Sequence, residues 1–294
     1  MSTLKKIYHS RIFRAILEVA LSFALAFVLL MSLRAALGVE NCIFVVSSGS
    51  MSPTINVGDL IIVQAVTPAQ VNIGDIVVFR DPHARLEAPI VHRVVDIIVD
   101  KKGNYKIATS GDAINTGWDQ FSPWNASLLI GRVILRIPYL GNLYLPLFSK
   151  SRAIVTVFVA IILIITLLLL YKDKDKKDSW ASRKNIYWSG KYVAYIFTIN
   201  LLLIFLLLFS LWGRGVNFLG MYEEYRLNAD KYGYENVFLT MNFMTYKIDC
   251  LVHGSIRQGV LTFSWAQFIL LILLLFNVIK VLIPIVRFHL LKNE

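Results

Sequence analysis

The sequence predicts a mainly β extracytoplasmic domain anchored by transmembrane α-helices, about four spans in all, on three observations. The 294-residue chain is 56% hydrophobic and 17% charged, with a mean hydropathy of +0.61, more apolar than soluble globular chains average. Four windows are close to the roughly 20 apolar residues that cross a bilayer core of about 30 Å. Between the first two windows, residues 42–150 break into short Val- and Ile-rich runs separated by Gly, Pro, Asn and Asp, the pattern of an all-β sandwich or barrel.

The first window, Ala15 to Leu37, is interrupted only by Glu18 and Arg34. Its apolar stretch exceeds the core of a cleaved leader, and Ala36-Leu37-Gly38 is a weak cleavage site, so an anchor is expected. The second window, Ala153 to Tyr171, carries no charge; the third runs from Tyr192 to Trp212 and the fourth from Val260 to Ile279. Lys5, Lys6, Arg11 and Arg14 precede the first span, KDKDKKDSWASRKN lies between the second and third, and Arg287 and Lys292 follow the fourth. The positive-inside rule puts these regions in the cytoplasm and turns residues 38–152 and 213–259 outward. The expected organisation is a cytoplasmic N-terminus and first helix (1–37), an outer β domain (38–152), a second helix (153–171), a basic loop (172–191), and two further helices with an outer loop (192–294). The net charge of +11 flanks spans instead of forming a stripe on a domain, which excludes nucleic acid as the expected partner.

In the outer domain the runs IFVVSS, DLIIVQAV, GDIVVFRD, IVHRVVDIIV, YKIATSGD and LLIGRVILRI read as strands. NVGD (56–59) and NIGD (72–75) introduce two similar turn–strand units in which Asp59 and Asp75 are structural, and KKGN (101–104) is a hairpin turn. Trp118, Phe121 and Trp124 fit either a small aromatic core or contact with the membrane interface. Asn125-Ala126-Ser127 is a glycosylation sequon, a weak motif. Cys42 and Cys250, both on the outer side, could pair in an oxidising compartment. No His/Cys spacing suggests a metal site.

Serine proteolysis needs a nucleophile, a base, a group orienting the base, and oxyanion donors. The outer domain offers two histidines. His83 sits in the turn sequence DPHAR, and His92 lies in an apolar strand, where alternation puts His92, Val94 and Asp96 on one face. Periodicity alone makes His92 a structural residue.

The order and spacing of four boxes point further. Ser48-Gly49-Ser50-Met51-Ser52-Pro53-Thr54 follows the first span; Gly74-Asp75-Ile76-Val77-Val78-Phe79, His92-Arg93-Val94 and Gly111-Asp112, with Asp119 beyond, come after it. Over residues 15–150 the chain resembles signal peptidase I, in the archaeal and endoplasmic-reticulum branch that uses histidine where the bacterial branch has lysine. The resemblance implies a mostly β catalytic domain with its active site near the bilayer. It assigns Ser50 as nucleophile, His92 as general base (a side chain suited to proton transfer near neutral pH), and Ser48 with the Ser50 backbone N–H as oxyanion donors. Ser47 and Ser52 are turn or cap residues. The chain departs from the family's acid box: Ala113 stands in the place of an Asn, and the second acid falls one residue late. Asp119 is favoured as the acid that orients His92, with Asp112 in support.

The implied activity is that of a multi-pass serine endopeptidase of the cell membrane, or of the endoplasmic reticulum in a eukaryote. It would cut N-terminal signal peptides from secretory preproteins after small residues and need no metal or cofactor. Its partners would be preproteins and membrane lipid. The rivals are a peptidase with one dedicated client and a non-catalytic membrane assembly or chaperone subunit. Residues 172–294 have no counterpart in the family pattern. His253, Glu223 and Glu224 lie there without catalytic spacing, and the outer loop 213–259 is expected to be folded or to bind a membrane partner.

Overall fold

The computed structural model describes residues 11–86, 88–113, 117–143, 190–212 and 218–290. The expected second span and the basic loop after it fall outside the described residues.

The chain enters through helix α1 (Arg11–Leu37) and then lays down β1 (Ile43–Val45), β2 (Leu60–Gln64), β3 (Ile76–Phe79), β4 (Ile90–Val99), β5 (Tyr105–Ser110), β6 (Trp124–Asn125) and β7 (Leu129–Ile137). Each expected strand run forms a strand. β7 is the hub of the sheet, pairing antiparallel with both β2 and β3. The four residues of β3 are all buried, but into two cores. Ile76 and Val78 join Met51, Ile55, Ile61, Val63 and Val133, whereas Val77 and Phe79 join Val94, Ile107 and Trp124. A strand covered on both faces reads as an unbroken apolar run, as IVVF does.

The two turn–strand units are built alike. In the first, Asn56 N–H donates to Asp59 Oδ2 (2.6 Å); in the second, Asn72 N–H donates to Asp75 Oδ2 (2.9 Å). The glycine between, Gly58 (φ 90°) or Gly74 (φ 95°), takes the left-handed conformation that closes the turn. Each aspartate then receives an arginine from β7: Arg136 Nε reaches Asp59 at 2.5 Å and Arg132 reaches Asp75 at 3.2 Å. The KKGN turn closes β4 onto β5, with Asp100 accepting the Lys102 and Asn104 N–H groups. Strand β4 departs from simple alternation. A bulge between Val94 and Asp96 resets the phase, so that Val94 and Ile97 pack in the same core and Asp96 caps the N–H of Ile97 (2.8 Å) away from the His92 face.

The sheet continues after residue 190. Helix α2 (Gly190–Trp212) is followed by α3 (Phe218–Leu227), a short α4 (Ala229–Tyr232), β8 (Tyr234–Asn242), β9 (Thr245–Val252), β10 (Ser255–Arg257) and β11 (Thr262–Phe263). β11 runs parallel to β7 and antiparallel to β9, so residues 234–263 extend the same eleven-stranded sheet. Met221 and Tyr225, one turn apart on α3, close a core with Tyr234, Tyr246, Ile248 and Cys250. Cys42 and Cys250 are both buried and free, not paired.

Among the described residues two helical segments, not four, are long and apolar enough to cross a membrane: Ala20–Leu37 and Trp265–Val286, with mean hydropathies of 2.1 and 2.9. The third window forms α2, whose apolar stretch, Tyr192–Leu208, is shorter. The fourth starts later than expected because Val260 enters the core and Thr262 pairs with Arg136 in the sheet. Ser264 then caps helix α5 (Trp265–Asn277), its Oγ accepting from Gln267 N–H. A π-helical turn, Val278–Leu282, and α6 (Ile283–Leu290) continue the segment. α2 and α5 are joined by a reciprocal amide pair, Asn200 and Asn277, at 3.1 and 2.6 Å.

The buried Arg136–Asp59 pair pins the first turn to the hub strand. Arg136→Ala leaves Asp59 charged and unpaired in the core, and the expected destabilisation is about 3–5 kcal/mol, read as a lowered unfolding midpoint of the detergent-solubilised chain.

Candidate active site

Residues 47–55 form a tight turn between β1 and β2. Met51, 2% exposed, anchors it in the core, Ser52 N–H donates to the Gly49 carbonyl (3.1 Å) and Ile55 N–H to the Met51 carbonyl (2.9 Å). With Met51 pointing in, Ser50 lies at the turn's outer side, half-buried, with its Oγ 3.3 Å from Ser48 Oγ. The Ser50 carbonyl accepts from Ala113 N–H at 2.9 Å, which ties the turn to the segment after β5.

His92 and Arg93 are consecutive on β4 and therefore project to opposite faces. His92 Nδ1 bonds Asp119 Oδ2 at 2.6 Å. Asp119 is itself held: Thr109 Oγ1 donates to Oδ2 (2.8 Å), and the Trp124 indole N–H donates to Thr109 Oγ1 (3.1 Å). Phe121 lies against the imidazole with ring centroids 6.1 Å apart, and Phe79 and Trp124 stack behind it at 4.1 Å. Phe121 and Trp124 thus belong to a small aromatic core, while Trp118 is 48% exposed.

The other ring nitrogen, Nε2, faces Gly111. A Cβ on Gly111 would sit 2.7 Å from the Ser50 carbonyl oxygen and 3.2 Å from His92 Nε2. The absence of a side chain there is what lets the Ser50 turn and the imidazole approach the same point.

Arg93 turns the other way, into a buried pair with Asp112: Nε to Oδ1 at 2.8 Å and Nη2 to Oδ2 at 2.7 Å. Thr54 Oγ1 also donates to Asp112 Oδ2, at 2.5 Å, and Arg93 Nη1 donates to the Gly74 carbonyl (2.7 Å). Asp112 therefore does not touch His92; it joins the Ser50 turn to the strand carrying His92. Burial acts to raise the Asp112 carboxyl, but the Arg93 guanidinium, with Arg257 and the Thr54 hydroxyl, outweighs it and holds the carboxyl below its ordinary value.

His83 is remote from this cluster, in an exposed turn where Asp81 accepts the His83, Arg85 and Leu86 N–H groups. Ser52 Oγ donates to Asn56 Oδ1 (2.8 Å) within its turn. Sequence reading does not single out Thr109 or Tyr225, and it names Arg93 in a box without giving it a role. Arg93 is visible in retrospect as the residue following His92. Thr109 and Tyr225 carry no local signal, since their partners are distant in sequence.

Residues 16–101 match the model of the family described as signal peptidase, peptidase S26. The signal peptidase complex catalytic subunit SEC11C of Homo sapiens is 33% identical over 109 residues, covering 37% of this chain and 56% of that protein. The mouse subunit of the same name is 32% identical over the same length. The signal peptidase complex catalytic subunit sec11 of Dictyostelium discoideum is 41% identical over 78 residues, 26% of this chain and 42% of that protein. The chain spans about half the length of the curated relatives it matches. The resemblance to signal peptidases that the four boxes suggest is borne out as a similarity to Sec11-type catalytic subunits over part of the chain.

Because the Asp112 carboxyl lies lower when folded than when unfolded, the stability it supplies is fully present above the unfolded carboxylate value of about 4. That stability is lost as pH falls through the lower folded value. Acid titration of unfolding is expected to show this limb in the wild type. Asp112→Asn should lack it and, with Arg93 left buried and unpaired, lose about 3–5 kcal/mol near neutral pH.

Proposed function

We propose that this chain, whose residues 16–101 match the signal peptidase (peptidase S26) family model, is a membrane-bound serine endopeptidase that removes N-terminal signal peptides from secretory preproteins. The observation that carries the reading is the convergence of the Ser50 turn and His92 Nε2 on Gly111, with His92 Nδ1 fixed by Asp119 at 2.6 Å. The Sec11-type relatives are named as catalytic subunits of signal peptidase complexes.

In this mechanism Ser50 Oγ attacks the scissile carbonyl carbon while its proton passes to His92 Nε2. Asp119 accepts from the protonated ring at Nδ1 and keeps Nε2 directed at the serine, and Thr109 keeps Asp119 from rotating. In the resting geometry the Ser50 hydroxyl is paired with Ser48, so it turns toward Nε2 when substrate binds, as apo catalytic pairs commonly do. The negative charge that develops on the carbonyl oxygen is met by the Ser48 hydroxyl and the Ser50 N–H. Collapse of the tetrahedral intermediate breaks the C–N bond, and His92 returns the proton to the leaving amine. Water, deprotonated by the same imidazole, then hydrolyses the acyl-enzyme and releases Ser50. The preprotein is bound extended, with main-chain hydrogen bonds aligning the scissile bond and small side chains at the residue before the cut and two before that. The two apolar helical segments, Ala20–Leu37 and Trp265–Val286, hold the β domain at the membrane surface, where preproteins emerge.

Incubation of the detergent-solubilised chain with a preprotein, followed by mapping of the new N-terminus, tests the reading. Wild type is expected to cut after a small residue and Ser50→Ala to leave the preprotein intact. Retention of function by Ser50→Ala would favour the non-catalytic assembly instead. Asp119→Asn is expected to lower kcat on the order of 10³-fold or more, by freeing the histidine tautomer.

A further inference from the structure

The second outer segment, residues 218–263, packs Val260 into the first core and pairs β11 with β7, and three further polar contacts reach the Arg93–Asp112 strut. Tyr225 on α3 donates its hydroxyl to Thr54 Oγ1 at 3.0 Å. The Gln258 carbonyl accepts from Arg93 Nη1 at 2.7 Å. Arg257 Nη1 lies 4.0 Å from Asp112 Oδ1. All three fall on the strut that links the nucleophile turn to β4, and none falls on the β6 side of the domain.

The hydrogen-bond directions are fixed by chemistry. The Thr54 hydroxyl has one hydrogen, and it goes to the Asp112 carboxylate, an acceptor only. Thr54 is left to accept, and Tyr225 supplies the donor. The tyrosine cluster around it gives an internal comparison: the hydroxyls of Tyr234 and Tyr246 make no hydrogen bond to any described residue, and so none to the strut. Tyr225, stacked on Tyr234 with centroids 5.4 Å apart, is the member whose hydroxyl is directed at the active-site turn. Burial also keeps its phenol protonated, pushing it above its ordinary range, so it stays a donor at any working pH. Thr54 is one turn beyond Ser50, and the hydrogen bonds from Ser52 N–H and Ile55 N–H make that turn a stiff unit. A shift at Thr54 is therefore passed to Ser50.

We propose that residues 218–263 are a working part of the peptidase site and that Tyr225 is a positioning residue, setting the Ser50 turn against His92 through Thr54 and Asp112. The inference rests on the peptidase reading given above. It assigns to the second outer segment the job of locking the catalytic geometry, in addition to extending the sheet.

The test compares kcat and KM for preprotein cleavage by the full-length, detergent-solubilised chain in wild type, Tyr225→Phe, Thr54→Val, the double variant, Thr54→Ser and Tyr234→Phe. All are assayed well below their unfolding midpoints. Tyr225→Phe keeps the ring and its stacking and is expected to lower kcat about tenfold, the worth of one buried hydrogen bond expressed in the transition state, with KM within about twofold. Thr54→Val should reproduce that loss, Thr54→Ser should restore the rate, and Tyr225→Phe should add nothing in the Thr54→Val background. Tyr234→Phe is expected to cleave like wild type. Wild-type kcat in Tyr225→Phe, or equal losses with and without Thr54, would overturn the positioning role while leaving the peptidase reading intact. A wild type that cleaves no preprotein would overturn both. Should Tyr225→Phe fail to fold, Thr54→Val alone decides, and full activity there overturns the proposal.

Discussion

A charged pair sealed inside a small domain is costly unless its donors and acceptors find partners, and the Arg93–Asp112 pair finds them by recruiting the whole neighbourhood. Its two parallel hydrogen bonds account for one edge of the guanidinium; the two Nη1 donors take the carbonyls of Gly74 and Gln258, and the carboxylate takes the Thr54 hydroxyl. Five segments of chain are fixed relative to one another by one pair of side chains: the turn after β1, the turn before β3, β4, the end of β5, and the strand-to-strand connection before β11. Removing either charge strands the other in a low-dielectric setting. The domain thus has strong energetic reason to keep these segments in register, and the candidate catalytic groups ride on them.

The alternation of a single strand divides the labour. His92 faces Asp119 and the aromatic core, while its neighbour Arg93 faces the strut. His92 and the group that fixes its strand are thereby one residue apart, and an error in the strand register would displace both. Gly111 completes the arrangement by leaving room where a side chain would press on both the Ser50 carbonyl and Nε2.

Much of this was legible in the sequence because its signals are local. The Val- and Ile-rich runs specify strands β1 to β7 by composition and turn chemistry. Ser50, His92 and Asp119 were picked out by ordered boxes and do lie in one neighbourhood. What was not legible depends on partners far along the chain. Val260 to Phe263 read as the start of a span because their apolarity suits either a bilayer or a core; Ser264, the helix cap, was the local mark of the boundary. The bulge at Val95 inverted the expected phase of Asp96, since one extra residue in a strand leaves no compositional trace. Tyr225 and Gln258, separated from Thr54 and Arg93 by 171 and 165 positions, have no sequence feature that ties them to the strut.

Those long separations make the order of synthesis matter. A ribosome adds about 5–20 residues per second, so Arg93 and Thr54 wait on the order of ten to thirty seconds before their partners Gln258 and Tyr225 exist. During that interval β7, already made, has a free edge where β11 will pair in parallel, and the first core lacks Val260. The nascent domain is therefore an incomplete sheet with an underdetermined Ser50 turn, and it acquires its final geometry only when residues 218–263 have docked. Maturation is timed by the chain's own length.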